Sequence, residues 1–495
     1  MLFKYSISKF FNFIQRDTLI DWLEKYGKVN GFKKEVSKKQ QELFASGVET
    51  EEKIVELIKA KIDVTDLTHL KFKNHTHKDR TEKMISENKP FVYQGLLCGN
   101  INEYKSGQPY GIPDIIMKKE CLSKLFGFND DNNEESKNNY VVVDIKRSLK
   151  LNKNNSVSKS TNNYKWLEFQ LCCYEKFLSA LTNRSPQDVY VVSLKDDSSM
   201  KIGYIKYVEP DLQEGIKYLN DLDENGWKWV PYPKPSCDYM YPNMKNTYDF
   251  VWKKVKQDIA FKIGELTLLP YVSVDVRKLL WNKNVRSYNQ ENCVDEICEI
   301  AKIPAYVPEV VRANQLEGLE LNAEGVKEDL SFLISSRKLV FVDMETRQDG
   351  KVFLSSVYQP VENIYKNFYC SKIEFDENKV VTETKLYLKE LQEREDVCVV
   401  YYGGQEEKVL EIKNGIDLYE VLRKNKYAKH GLLTYALKDI YNCTFRRKIE
   451  TRIKNGLDAM MMYEENDELY KNDLIKYCEK DVTILHKLVT RFLNY

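Results

Sequence analysis

The sequence predicts an α/β protein in which two sheet-containing domains flank a mostly helical segment. Three observations carry that expectation. Apolar runs of strand length cluster early, in "FVYQGLLCG", "GIPDIIM", "YVVVDIK", "DVYVVSL" and "KIGYIKYV", and again late, in "KLVFVDMET", "KVFLSSVYQ", "NFYCSKIEF" and "DVCVVYYGG". Amphipathic helical stretches alternate with them, among them "TEEKIVELIKAKI", "KWLEFQLCCYEKFLSAL" and "NDLIKYCEKDVTILHKLVTRFL". Between the clusters the strand signal fades. The expected boundaries are therefore 1–210, 211–330 and 331–495, a division that 495 residues readily accommodate.

Composition narrows the class of protein. Apolar content of 42% and charged content of 31% suit a soluble globular chain. A net charge of +1 supplies no global field toward nucleic acid, so any such contact falls to local runs: "GFKKEVSKKQ", "IKRSLKLNK" and "FRRKIETRIKN". No apolar run reaches the length of a membrane span, and "MLFKYSISKFFNF" lacks the core of a signal peptide. Eleven scattered cysteines without a CxxC pair point to reduced thiols in a cytoplasmic setting, not to a zinc ribbon. His75 and His77, in "KNHTHKD", read as exposed loop residues, with no cysteine or third histidine beside them to complete a metal site.

The polar inserts "GFNDDNNEESKNN" and "KLNKNNSVSKSTNN" read as mobile loops. "ENGWKWVPYPKPSCDYMYPNM" reads as an irregular packed connection, with Trp227, Trp229 and Tyr232 as packing residues more than base-stacking ones.

The chemistry concentrates first at strand ends. Asp114 follows Pro113 in "GIPDII", and Asp144 ends the apolar run of "VVVDIK" with Lys146 on the same face of the strand. Three valines before Asp144 indicate a central strand, where unpaired charge is costly. Carboxylates from two strands suit a hard cation, Mg²⁺ or Mn²⁺, which would polarise a phosphodiester. An ammonium on the same face would orient the attacking water or stabilise developing charge. Gln170 and Tyr174, four apart in "EFQLCCYEKF", share a helical face. Glu51, from an earlier helix, offers a further carboxylate, and neighbouring Glu52 could replace it.

This set resembles the RecB-like branch of the PD-(D/E)XK nuclease superfamily, which includes lambda exonuclease and CRISPR-associated RecB-type nucleases. "GIPDII", "VVVDIKRS" and "QLCCY" carry the resemblance, and the opening "SISKFFNFIQRDTLIDWLEKYG" and "FASGVETEEKIVELI" resemble the helices before such a core. It covers roughly the first 210 residues and implies a restriction-endonuclease-like fold. Asp114, Asp144 and Glu51 would be metal ligands, Lys146 would assist the water, and Gln170 and Tyr174 would position water or phosphate. Many relatives hold an iron–sulfur cluster through four cysteines. Here the place of the first is near Asp17 and no downstream trio follows, so no cluster is expected. Where many relatives have a histidine before the core, this chain has Thr50 and Glu51.

A second constellation restarts the pattern. "KLVFVDMETRQDG" places Asp343 and Glu345 on one face at the end of an apolar strand, and Tyr477 and Asp481 share a turn-related face of the last helix. Converging acids of this kind suit hard metal ions acting on phosphate. The arrangement resembles the RNase H-like fold of DEDD-type 3′–5′ exonucleases, where a DxE strand pairs with a late YxxxD helix whose tyrosine helps orient water. That family also needs a middle acid. "VVYYGGQEEKVLEI" supplies Glu406 or Glu407 in place of the usual aspartate, and Asp417 lies nearby.

A RecB-like nuclease followed by an RNase H-like domain is similar to a family of predicted nucleases. The middle stretch "IGELTLLPYVSVDVRKLLWNKNVRS" vaguely resembles a helix-hairpin-helix element, but lacks its glycine hairpin and reads as a bracing helical linker.

The expectation is a cytoplasmic Mg²⁺- or Mn²⁺-dependent deoxyribonuclease acting on ends or single strands. DNA is its partner, a helicase and self-association are open, and no membrane is involved. One rival is a 3′–5′ exonuclease with all its chemistry in the C-terminal domain. Another is a catalytically silent nucleic-acid-binding protein.

Overall fold

The structure is a computed structural model. It describes every residue except 1–2, 36–37, 71–74, 101–102, 105–106, 128–138, 162, 197–198, 336, 348, 377, 395, 448 and 450–451. The chain divides into two compact units, Met1–Ile263 and Gly264–Tyr495. The division falls inside the segment read as a connector: 211–263 packs with the first unit, and the chain from Gly264 onward with the second.

The first unit is built on a six-stranded mixed sheet in sequential order. Its strands are β1 (Thr65–Asp66), β2 (Phe91–Tyr93), β3 (Ile115–Lys118), β4 (Tyr140–Ile145), β5 (Val189–Asp196) and β6 (Ser199–Ile205). β4 is buried along its whole length, as its valine run predicts. It pairs antiparallel with β3 and parallel with β5. The parallel step requires a crossover, and the helix α3 (Tyr164–Leu181) makes it. Val141, Val143 and Ile145 pack with Ile54, Val55 and Ile58 of α1 (Lys38–Lys59). By alternation Asp144 then belongs to the opposite face.

The expected loops of this unit carry more structure than their composition suggests. Within the described part of the insert over 150–163, Leu151 bridges to Val157, Ser156 bridges to Tyr204 of β6, and Val157 and Thr161 are buried, as is Leu149 just before it. Widely spaced apolar residues anchor an otherwise polar run, a signal that composition averages away. The other insert lies largely in 128–138, outside the described residues. His75 and His77 begin a helix, α2 (His75–Ser86), and His77 is buried with Nε2 2.8 Å from the Gln94 carbonyl. Trp229 is buried and stacks on Tyr239, as expected, whereas Trp227 is 65% exposed.

The second unit contains a five-stranded sheet of β7 (Lys338–Thr346), β8 (Val352–Gln359), β9 (Ile364–Tyr369), β10 (Val397–Tyr401) and β11 (Ile416–Asp417), ordered β9-β8-β7-β10-β11. The first three strands form an antiparallel meander, and β10 and β11 run parallel to β7. "NFYCSKIEF" is a strand only as far as Tyr369. Val340, Val342 and Met344 pack on one face of the sheet with Val380 and Leu388 of α4 (Lys379–Arg394). The other face meets α7 (Gly456–Leu493), a long helix broken at Asn466, whose φ of −158° and ψ of 91° are extended. Two shorter helices, α5 (Gln405–Leu410) and α6 (Leu437–Phe445), approach the same end of β7 through their side chains, as described below. In the preceding segment, buried Glu265 accepts from the Thr267 amide and pairs with Arg277 at 2.9 Å.

Candidate active site

The parallel pairing of β7 with β10 ends at Phe341 and Val400. β7 runs on past that point, so Asp343 and Glu345 lie beyond the carboxyl end of the parallel pairing, the side on which open α/β sheets bind their ligands. Because Val340, Val342 and Met344 take the α4 face, Asp343 and Glu345 fall on the α7 face. The helix meets them there. Cys478 donates its thiol to Asp343 Oδ2 at 3.3 Å, and one turn later Asp481 joins the acids. Ligand oxygens of Asp343, Glu345 and Asp481 all lie within 4.8 Å of one another, the one such acidic group among the described residues.

Taking so much negative charge out of water raises the affinity of each acid for protons. Burial, then Glu345, Asp481 and Glu406, hold Asp343 well above the usual carboxylate range. Burial and Asp481 push Glu345 up to about 8 against the pull of Lys438, with Glu406 adding to the rise. Burial lifts Glu406 to about 7, and raises Asp481 in spite of Lys438 and Tyr477.

Geometry separates the three candidate middle acids. Glu406 is 7% exposed, it is electrostatically coupled to Asp343 and Glu345, and its Oε2 accepts no hydrogen bond. Glu407, next in sequence, faces solvent. Asp417 spends its carboxylate on the amides of Gly403, Gly404 and Tyr419, as a cap. Glu406 nevertheless stays outside the tight three-carboxylate group.

Two contributors had no signal in the sequence. Lys438 of α6 places Nζ 2.6 Å from the Tyr477 hydroxyl and 2.9 Å from Asp481 Oδ2. Cys478 is a buried neutral thiol, its pKa driven up by burial and by Asp343. Both owe their roles to partners distant in the chain, which no local pattern reports.

A divalent cation fits this donor set. The ligands are all carboxylate oxygens, as a hard ion demands, and Asp481 Oδ1 and Glu406 Oε2 are buried without a hydrogen-bond partner. Binding must displace the protons these acids hold, so Mn²⁺ affinity is expected to climb between about pH 6 and about pH 8.5, with proton release measurable by calorimetry in buffers of different ionisation enthalpy. The sign for stability is opposite. Carboxylates with a raised folded-state pKa stabilise the fold below their ordinary pKa, and that contribution is lost as pH rises through the folded value. The cation-free protein is therefore expected to lose melting temperature toward about 8, the value for Glu345. A flat profile for both measurements would contradict the clustering.

In the first unit, Asp114 and Asp144 sit opposite each other across β3 and β4, in the register that pairs Ile115 with Val143. Asp114 Oδ2 accepts from the Ile145 amide at 2.8 Å. Asp144 is 3% exposed, and its Oδ2 forms an ion pair with Lys146 Nζ while accepting no hydrogen bond from another donor. Burial, Asp144 and Glu51 raise Asp114 well above the carboxylate range, with Lys146 opposing. Burial works against the Lys146 charge, but Asp144, Asp114 and Glu51 outweigh it and raise its pKa.

Helix phase selects Glu51 over exposed Glu52. Glu51 Oε1 accepts from Tyr93 at 2.7 Å and from Gln94 Nε2 at 3.0 Å, and the same amide is 3.4 Å from Asp114 Oδ1. Gln94, with φ of 57°, was missed in the sequence. Gln170 Nε2 donates to the Tyr174 hydroxyl at 3.0 Å. The Tyr174 ring lies against Gly111, where a Cβ would come within 2.0 Å of it. Its hydroxyl pKa is raised by burial and by Asp144 and Asp114, which places it beside the acids. Glu51, Asp114 and Asp144 do not form a three-ligand group as tight as that in the second unit.

Residues 340–493 match the family model of the RNase_H superfamily, so the second unit contains an RNase H-like domain. No curated protein matches the chain in sequence. Among the described residues, no helix is long and apolar enough to cross a membrane.

Proposed function

We propose that this protein is a divalent-cation-dependent nuclease that hydrolyses phosphodiester bonds in DNA, working from ends or on single strands. The observation that carries the reading is the convergence of Asp343, Glu345 and Asp481 beside Tyr477 in an RNase H-like domain. Asp343, Glu345 and Asp481 would hold Mg²⁺ or Mn²⁺, with Glu406 at the edge of the site. When bound, the cation supplies Lewis-acid polarisation of the phosphate and a more acidic water.

The protein's own groups do the rest. The raised pKa of Tyr477, caused by burial and by Asp481, Glu345 and Asp343, keeps its hydroxyl protonated. Tyr477 therefore orients the attacking water as a hydrogen-bonding partner and does not act as a base. Glu406, near 7 without a cation, can hold or release a proton at neutral pH.

A second hydrolytic centre in the first unit is favoured by one observation: Asp114 and Asp144 face each other on paired strands with Lys146 bound to Asp144. We read it as a PD-(D/E)XK-type site in which Lys146 stabilises developing charge and Glu51, Gln170 and Tyr174 complete the surroundings.

End-labelled single- and double-stranded DNA, with RNA alongside, tests both readings. Wild type is expected to shorten DNA with Mg²⁺ or Mn²⁺ and to stop in EDTA. Retention of DNA without cleavage under any divalent ion would make it a binding protein instead. Lys146→Ala is expected to lower the first unit's share of cleavage by about a hundredfold or more, the scale of losing one electrostatic stabiliser. With the second site disabled by Asp343→Asn, cleavage that persists undiminished in Lys146→Ala would remove the first unit's site from the mechanism.

A further inference from the structure

We propose that Lys438 is a positioning residue of the second unit's site, one that holds the Tyr477 hydroxyl and one oxygen of Asp481 so that the other Asp481 oxygen is left for the cation. The inference rests on reading Asp343, Glu345 and Asp481 as cation ligands. Lys438 Nζ lies 2.6 Å from the Tyr477 hydroxyl and 2.9 Å from Asp481 Oδ2, and 3.8 Å from the centre of the Tyr477 ring. Asp481 Oδ1 is buried and accepts no hydrogen bond. One carboxylate is thus divided, with Oδ2 committed to the lysine and Oδ1 unspent.

The lysine arrives on an element separate from those that carry the acids. It is the second residue of α6, whereas Asp343 and Glu345 are on β7 and Tyr477 and Asp481 on α7. Its approach is set three residues earlier by Tyr435, which is 6% exposed, donates to the Tyr427 carbonyl and accepts at its own carbonyl from Tyr402. The Lys438 side chain is itself only 20% exposed. An ammonium held from a third element by a buried anchor resists displacement when the cation enters, which a long surface lysine would not.

A lysine that only neutralises Asp481 makes a different forecast from one that positions Tyr477. Either way its charge repels a cation on the same carboxylate, so Lys438→Met should bind Mn²⁺ more tightly. If neutralisation is its whole role, the variant saturated with Mn²⁺ cleaves as fast as its parent. If it positions Tyr477, the saturated variant is slow, because a reacting group displaced by about 1 Å costs about a hundredfold. Tighter binding joined to slower turnover is the signature, and simple damage to the site would weaken both.

The experiment uses the full chain carrying Asp144→Asn, so that the first unit contributes no cleavage. Mn²⁺ binding is read by electron paramagnetic resonance of the free ion, and single-turnover cleavage of end-labelled single-stranded DNA is followed at saturating Mn²⁺. Lys438→Met is expected to bind Mn²⁺ severalfold more tightly and cleave about a hundredfold more slowly, with part of the rate restored by Lys438→Arg. Adding Tyr477→Phe to Lys438→Met should cost little more, since the two residues act as one unit. Lys438→Gln, uncharged and hydrophilic, repeats the measurement if the methionine variant melts early. A saturated rate within about threefold of the parent overturns the proposal. Asp343→Asn in the same background separates the two levels of the argument. If it keeps both Mn²⁺ binding and cleavage, the reading of the site fails. If it loses both while Lys438→Met behaves as its parent, only the role of Lys438 fails.

Discussion

Asp343→Asn is expected to lower cation-dependent cleavage by the second unit more than about a hundredfold, since losing even an indirect partner of a metal ligand costs 10- to 100-fold. The substitution keeps the shape of the side chain and an oxygen able to accept from the Cys478 thiol. It removes one ionisable carboxyl from a group in which burial and three other acids, Glu345, Asp481 and Glu406, already disfavour ionisation of Asp343. The cation-free variant should therefore melt no lower than wild type, while the rise in melting temperature produced by Mn²⁺ should disappear. Function and stability separate because the clustered acids repel one another when ionised, a repulsion that protons relieve in the cation-free protein and the cation relieves when bound. Wild-type cleavage together with an undiminished Mn²⁺ shift would remove Asp343 from the site.

The largest effect on stability is expected in the first unit, at Lys256. Its side chain is fully buried, with Nζ 2.9 Å from Asp17 Oδ2, 2.8 Å from Asp249 Oδ2, and 3.0 and 2.8 Å from the carbonyls of Asn243 and Asn246. Asp17 in turn accepts from the Asn243 amide and the Asn246 side chain. Asp17 thus ties the start of the chain to a segment more than two hundred residues later.

Lys256→Ala would leave two buried carboxylates without their cation, at a cost of about 3–5 kcal/mol. For a unit of this size the melting temperature should drop by on the order of 10 °C. Replacing the cluster as a whole, with Lys256→Met, Asp17→Asn and Asp249→Asn, should recover much of the loss, because the penalty comes from the orphaned charges and not from the missing attraction. A Lys256→Ala protein that melts within about 1 °C of wild type would show that water reaches these acids.

Periodicity carried much of this protein in its local sequence. The period of two in "KLVFVDMET" put Asp343 and Glu345 on one face, and the spacing of four put Tyr477 and Asp481 on one side of the last helix. The same rules placed Asp144 with Lys146 and Gln170 with Tyr174. Such inferences succeed because backbone geometry dictates which neighbours share a face.

Choices between adjacent acids lay beyond that reach. Glu406 and Glu407 are equivalent as letters, and so are Glu51 and Glu52. The turn of each helix against its own sheet buries Glu406 and half-buries Glu51, and leaves Glu407 and Glu52 in water. Asp417 looked available until its oxygens proved to be occupied by backbone amides. Lys438, Cys478, Gln94 and Lys256 left no trace in local patterns, because what distinguishes each is a partner brought close by folding. Residue spacing within an element sets the direction of a side chain, but burial and charge pairing depend on which other element arrives opposite it, and only the assembled chain specifies that.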